Sequence, residues 1–230
     1  MSVTHDNPAI SMADGLSLTD AVKQSFDEAL KLRGKLNEFV LSIEGMSGRK
    51  YRYFINNLIA SIDNARYLEV GSWAGSTLCS ALYGNKVKAT AIDNWSQFGG
   101  PVNHFFANVA NCVSADARLS VLSEDFRKVN YAGLGKFNIY LFDGPHEYKD
   151  QYDGLSLVMD ALTDEFVFIV DDWNWQPVRD GTFDAIRACG LEIKTRIEVR
   201  TTDDESHPDI FGKASDWHNG YFISVLRKRA

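Results

Sequence analysis

A chain of 230 residues is long enough for one α/β domain with a substantial core, or for one domain with a small appendage. Its formal charge of −7 argues against a protein whose main partner is a nucleic-acid backbone, although a local basic pocket stays open. No apolar run approaches the ~18–20 residues of a membrane span, and the polar, acidic N-terminus is unlike a signal peptide. The cysteines Cys79, Cys112 and Cys189 are widely separated, form no C-x-x-C pair and read as free thiols of a reducing compartment. The expectation is a soluble, cytoplasmic protein.

Residues 1–16 are polar and mixed and read as a loose arm. Ser17-Leu-Thr-Asp20 caps a predicted helix that runs to about Lys35, with Ala21, Phe26, Ala29, Leu30 and Leu32 at helical intervals. Gly45-Met-Ser-Gly-Arg49 reads as a turn or loop. A second helical pattern covers Tyr51 to Ile62 and carries Phe54, Leu58 and Ile62 on one stripe. Residues 1–65 thus form an N-terminal arm with helices, ahead of a main domain over 66–230.

Tyr67-Leu-Glu-Val-Gly-Ser-Trp-Ala-Gly-Ser-Thr77 begins that domain. A short apolar strand carries the acid Glu69 and leads to Gly71, Ser72 and Gly75. A helix then opens over Ser76 to Leu82. Glycine adopts positive φ and lets a ligand approach the backbone where a Cβ would collide. A helix starting after such a turn directs its free N–H groups at the ligand. The spacing is E-x-G-x-x-x-G rather than the dinucleotide pattern G-x-G-x-x-G.

Element types then alternate regularly. Val87 to Ile92 is a strand ending at Asp93, a helix includes Val102 to Val109, and Leu119 to Leu122 is a short strand before Glu124-Asp125. Phe137 to Phe142 is a buried strand ending at Asp143, and a helix spans Tyr148 to Leu162. Phe166 to Val170 runs into Asp171-Asp172, and Pro177 stands where a helix begins. This order implies crossover connections and a mostly parallel sheet covered on both faces. Leu191 to Arg200 and Tyr221 to Leu226 read as an antiparallel pair at the sheet edge, joined by a long polar loop over 201–219.

The opening turn resembles motif I of the class I S-adenosylmethionine-dependent methyltransferases. That resemblance implies a Rossmann-like, seven-stranded sheet, mostly parallel, with an antiparallel C-terminal hairpin and extra N-terminal helices. In such enzymes these helices often cover the active site or form a dimer contact.

Carboxylates collect at the C-terminal ends of the predicted strands, the edge where open parallel sheets bind ligands. Asp93, 24 positions after Glu69, suits a pair of ribose hydroxyls. Trp95 is read either as a face for the adenine ring or as a core residue. Asp125 matches the family position that accepts from the adenine amino group, with Glu124 as the competing choice. Asp143, Asp171 and Asp172 are expected to converge. Packed anions repel unless a divalent cation relieves them, and hard oxygen donors suit Mg2+, Ca2+ or Mn2+. His146, three residues after Asp143, is a candidate base for an alcohol. A helix-start histidine and a metal ligand are its other readings.

Leu68-Glu-Val-Gly71, the Asp143-Gly-x-His-x-Tyr148 run and Val170-Asp-Asp172 together resemble the metal-dependent bacterial O-methyltransferases of the macrolide-sugar type, over roughly 66–188. Catechol-type enzymes share the architecture but place lysine at the position of His146 and asparagine at that of Asp172. The resemblance implies S-adenosylmethionine, Mg2+ or another divalent cation, and methyl transfer to a hydroxyl of a small molecule, a sugar or glycosylated natural product. No nucleic-acid or membrane partner is expected, and self-association is left open. A metal-free methyltransferase and a non-catalytic S-adenosylmethionine-binding protein are the rival readings. Trp173, Trp175 and Trp217 are candidates to stack on an acceptor or to pack in the core.

Overall fold

The computed structural model describes residues 16–229, so the expected arm over 1–16 lies almost wholly outside the described residues. Seven strands form one sheet in the order β3-β2-β1-β4-β5-β7-β6. They are β1 (Arg66–Val70), β2 (Lys88–Ile92), β3 (Arg118–Leu122), β4 (Phe137–Phe142), β5 (Leu162–Asp171), β6 (Leu191–Val199) and β7 (Tyr221–Lys228). The pairs β1–β2, β1–β4, β2–β3 and β4–β5 are parallel, whereas β7 runs antiparallel to both β5 and β6. The antiparallel pair is therefore as expected, with β7 inserted beside β5 and β6 at the edge.

Parallel strands buried on both faces read as continuous apolar runs, which is why β1, β4 and β5 are recognisable in the sequence. Their alternate residues feed two cores. Tyr67, Ile139, Leu141, Val167, Ile169 and Tyr221 pack against α1 (Leu18–Leu30), α3 (Arg49–Ser61), α4 (Ser76–Leu82) and α5 (Val102–Cys112). Leu68, Val70, Tyr140, Phe142, Phe168 and Val170 face α6 (Tyr148–Ser156) and α7 (Gln176–Ala188). The leading helices α1 and α3 thus share a core with the sheet.

Two helices are shorter than their sequence patterns. Ser17 caps α1 as expected, but the helix stops at Leu30, and Leu32 turns to a φ of 54°. The short α2 (Glu38–Ser42), capped by Asn37, follows. After α6 ends at Ser156, a 3-10 turn leads into β5, which begins at Leu162. The polar start of β5 is a strand because of its neighbour. Glu165 is in register with Arg227 of β7 and accepts from its guanidinium at 2.7 Å, a pairing that local periodicity cannot reveal. Among the described residues no helix is long and apolar enough to cross a membrane.

Candidate active site

A cavity of about 710 Å³ opens at the C-terminal edge of β1, β2, β4 and β5. Of the residues singled out in the sequence, Gly71, Asp93, Asp125, Asp143, His146, Asp171 and Asp172 line it. Glu69, Ser72, Gly75, Ser76 and Trp95 do not, and their surroundings show what they do instead.

The turn after β1 is held from behind. Gly71 has a φ of 85°, and a Cβ there would stand 1.7 Å from the carbonyl oxygen of Asp143. The crossing with the end of β4 thus by itself requires the glycine. Gly75, also at 85°, faces Phe105 of α5. Glu69 is fully buried and accepts from Tyr67 Oη at 2.5 Å and Ser72 Oγ at 2.7 Å; burial pushes its pKa up to about 7. Ser76 Oγ lies 2.9 Å from Ser47 Oγ, tying α4 to the segment before α3.

Asp93 also serves the turn. Its Oδ2 accepts the backbone N–H groups of Ser72 and Trp73 at 2.8 Å each, and its Oδ1 accepts that of Trp95 at 2.6 Å. A carboxylate oxygen has about two acceptor sites, so the grip on both ribose hydroxyls expected from the sequence is reduced to the free lone pair of Oδ1. Trp95 takes the second of its two sequence readings, packing against the core. A backbone φ of 49° turns it away from the cavity, its ring packs on Phe105 with centroids 5.2 Å apart, and its Nε1 donates to Trp73 O. The aromatic surfaces in that part of the cavity are Trp73, Phe98 and Phe126. Asp125 caps the 3-10 turn after β3 by accepting from Arg127 N at 2.9 Å, and Glu124 lines the cavity beside it.

At the other end, Asp143 and Asp171 follow directly after the register pair Phe142↔Val170 on neighbouring strands. Both carboxyls have pKa values raised well above the usual range, first by burial and then by the neighbouring acids. Asp172 behaves differently. Burial would raise its pKa, but the hydrogen bond and charge of His146 hold it below the ordinary value. The same pair raises His146 against the downward pull of burial, with Nε2 2.7 Å from Asp172 Oδ2. Donor atoms of Asp143, His146 and Asp172 lie within 4.8 Å of one another, close enough to share a cation. Asp171 falls outside this group. Its Oδ1 accepts the backbone N–H of Asp172 at 2.7 Å, and His146, for which a metal ligand is one of three sequence readings, completes the group.

Four residues of the lining, Trp73, Phe98, Asp172 and His218, have φ between 45° and 58°. Such conformations cost non-glycine residues energy and concentrate at functional sites. His207, Phe211, His218 and Asn219, all from the 201–219 loop or its end, also line the cavity without having been recognised as site residues in the sequence. Of the three tryptophans read as candidates to stack on an acceptor, Trp175 lines the cavity, whereas Trp173 stacks on Phe222 and Trp217 on Phe26 within the cores.

A methyltransferase-domain family model matches residues 68–173. The S-adenosylhomocysteine-bound Podospora anserina methyltransferase PaMTH1 superposes with a TM-score of 0.56 at 10% identity, covering 100% of both chains. Cofactor-bound Rv0187 from MTB gives 0.55 at 14% identity, over 98% of this chain and 100% of that one. TrmN from Thermus thermophilus gives 0.53 at 14% identity, over 90% of this chain and 53% of that one. The chain spans about half the length of several such structures. No curated protein matches its sequence. These likenesses show the α/β methyltransferase fold.

Proposed function

We propose that the chain is an S-adenosylmethionine-dependent O-methyltransferase acting on a hydroxyl of a small molecule, a sugar or glycosylated natural product, with a divalent cation held by Asp143, His146 and Asp172. The observation that carries this reading is a single cavity joining the turn after β1 to a carboxylate–imidazole group. S-adenosylmethionine, when bound, supplies an electrophilic methyl group. Gly71, Asp93 through Oδ1, and Asp125 or Glu124 are the residues that would hold it, with Ile92, Phe98 and Phe126 as apolar surfaces.

The residues fit a cation. Asp171 and Asp172 are buried with the half-buried Asp143 beside them, and the one Lys or Arg among the described lining residues, Arg127, is engaged with Asp150 and Asp153. Oxygen and imidazole donors suit Mn2+, and Mg2+ with retained waters. When bound, such an ion supplies Lewis acidity to an acceptor hydroxyl. The lack of a free basic group in the lining disfavours a polyanionic acceptor such as nucleic acid. Trp175 offers a flat face to a sugar or an aromatic ring.

Calorimetry with S-adenosylmethionine and paramagnetic titration with Mn2+ test this reading. Wild-type protein is expected to bind both. Asp172→Asn should weaken Mn2+ binding by about ten- to a hundredfold, with S-adenosylmethionine affinity little changed. Failure to bind S-adenosylmethionine sinks the methyltransferase reading, and unchanged Mn2+ affinity in Asp172→Asn sinks the metal group.

A further inference from the structure

The histidines of the 201–219 loop carry information in their hydrogen bonds. Asn219 is 1% exposed. Its Nδ2 donates to Asp172 Oδ1 at 2.6 Å, and its Oδ1 lies 3.1 Å from His207 Nδ1. The chemistry of the partners fixes which way the amide faces. An ionised carboxylate only accepts, so the amide NH2 must face Asp172 and the amide oxygen must face His207. An amide oxygen also only accepts, so His207 Nδ1 carries the proton. The lone pair of the neutral ring then sits on Nε2. His218 has the opposite arrangement: Gly212 N–H donates to its Nδ1 at 2.9 Å, leaving Nε2 as the donor. His146 commits Nε2 to Asp172.

His207 is also firmly placed. Asn174, 0% exposed, accepts from Thr201 N at 2.9 Å and donates to Thr201 Oγ1 at 2.9 Å and to Ser206 O at 3.3 Å. The loop is therefore pinned on both sides of its acidic tip, immediately before His207. The imidazole of His207 meets Trp175 edge-on, centroids 5.3 Å apart, and His146 meets the same indole at 4.9 Å. The two histidines thus flank the tryptophan on the cavity wall, and His207, exposed at the mouth, has direct access to water.

We propose that His207, aligned by Asn219, is the proton acceptor at the acceptor end of the cavity. This rests on the methyltransferase reading of the same site. An acceptor hydroxyl gives its proton to Nε2, both electrons of the O–H bond stay on oxygen as the nucleophilic pair, and the imidazole becomes imidazolium. Nδ1–H stays on Asn219 throughout, and the Nε2 proton later passes to water. An amide oxygen that fixes the tautomer of a base is the arrangement of the cysteine–histidine–asparagine hydrolases.

The test is nitrogen NMR of protein labelled at its histidines, combined with kinetics. Neutral His207 is expected as the Nδ1–H tautomer, shifting towards Nε2–H in Asn219→Ala. An Nε2–H His207 in the wild type overturns the proposal, as does an unshifted tautomer in a folded Asn219→Ala. If that variant does not fold, the wild-type tautomer decides. On any catechol or hexose acceptor that the wild type methylates, His207→Gln should lower kcat by about a hundredfold and leave KM little changed. An unchanged kcat also overturns it. Protein that shows the Nδ1–H tautomer but binds no S-adenosylmethionine would sink the methyltransferase reading and leave the pair intact. S-adenosylmethionine binding with an Nε2–H His207 would sink this proposal alone.

Discussion

Substitution of Gly71 by alanine should unfold the site before it blocks a ligand. Two costs combine at this position. The φ of 85° places a side chain in the left-handed region, at roughly 1–2 kcal/mol for a non-glycine residue. The added Cβ would lie 1.7 Å from Asp143 O and 2.6 Å from its carbonyl carbon, so the end of β4 must move by more than about 1 Å, an overpacking cost of roughly 1–3 kcal/mol. The sum is roughly 2–5 kcal/mol, which in a chain of this size lowers Tm by about 5–20 °C. Gly99 supplies the control: its φ is 77° and nothing lies within 4 Å of its ideal Cβ, so Gly99→Ala meets the backbone cost alone. Thermal unfolding of both variants, with Mn2+ titration, separates the two terms. Gly71→Ala should be the less stable and should lose Mn2+ affinity, because the displaced residue carries the Asp143 carboxylate. Equal Tm values for the two variants would refute the argument.

Other perturbations probe the surroundings. The pKa of Glu69 is raised from 4.5 to about 7, so between those values the folded state holds a proton that the unfolded state has lost. Stability therefore falls as pH rises through that window, by about 3 kcal/mol for this group when complete. Glu69→Gln should remove that part of the slope; identical differences in urea unfolding energy between pH 5 and pH 8 for wild type and variant would exclude it. Asn174→Ala should cost about 1–3 kcal/mol and speed hydrogen exchange over residues 201–207, with β1 and β4 unchanged; unaltered exchange in the loop would contradict the pinning. Arg52 is 0% exposed and donates to the carbonyls of Val40, Leu41, Ile43 and Ser47, with no carboxylate in ion-pair contact among the described residues. Arg52→Met should leave those acceptors unpaired and cost about 3 kcal/mol or more; an unchanged Tm would show that they find other donors.

The sheet and its acids were legible because their signals are local. Buried parallel strands are apolar runs, and a residue following such a run stands at the binding edge whatever its side chain does. The direction of that side chain is not local. Trp95 follows Asp93 closely enough to suggest the adenine site, yet its backbone φ sends the ring to Phe105 and Phe106. Asp171 and Asp172 look equivalent in sequence, whereas Asp171 stays on the sheet face beside Asp143 and Asp172 turns to meet His146 and Asn219. His207, His218 and Asn219 lie in or just after a polar segment without periodicity. Their placement depends on Asn174, 27 positions before Thr201, and no spacing rule connects the two.

Asp172 shows how the cavity depends on a strained backbone. Along β5, Val167 and Ile169 face one core and Phe166, Phe168 and Val170 the other, so alternation puts Asp171 on the first face beside Asp143. Continued alternation would send the next side chain beneath α6 and α7. Instead Asp172 takes a φ of 58°, its N–H closes on Asp171 Oδ1, and its carboxylate meets His146 ahead of α6 and Asn219 ahead of β7. One side chain thus joins the segments leaving β4 and β5 to the one entering β7. Aspartate and asparagine tolerate the left-handed region better than other non-glycine residues, so Asp172→Asn changes the charge while keeping the backbone, and Asp172→Ala changes both. Asp172→Ala should therefore be less stable than Asp172→Asn by about 1 kcal/mol or more, even though both lose the ion pair with His146. Equal unfolding energies would mean that the hydrogen bonds, and not the residue's tolerance of this φ, hold the turn.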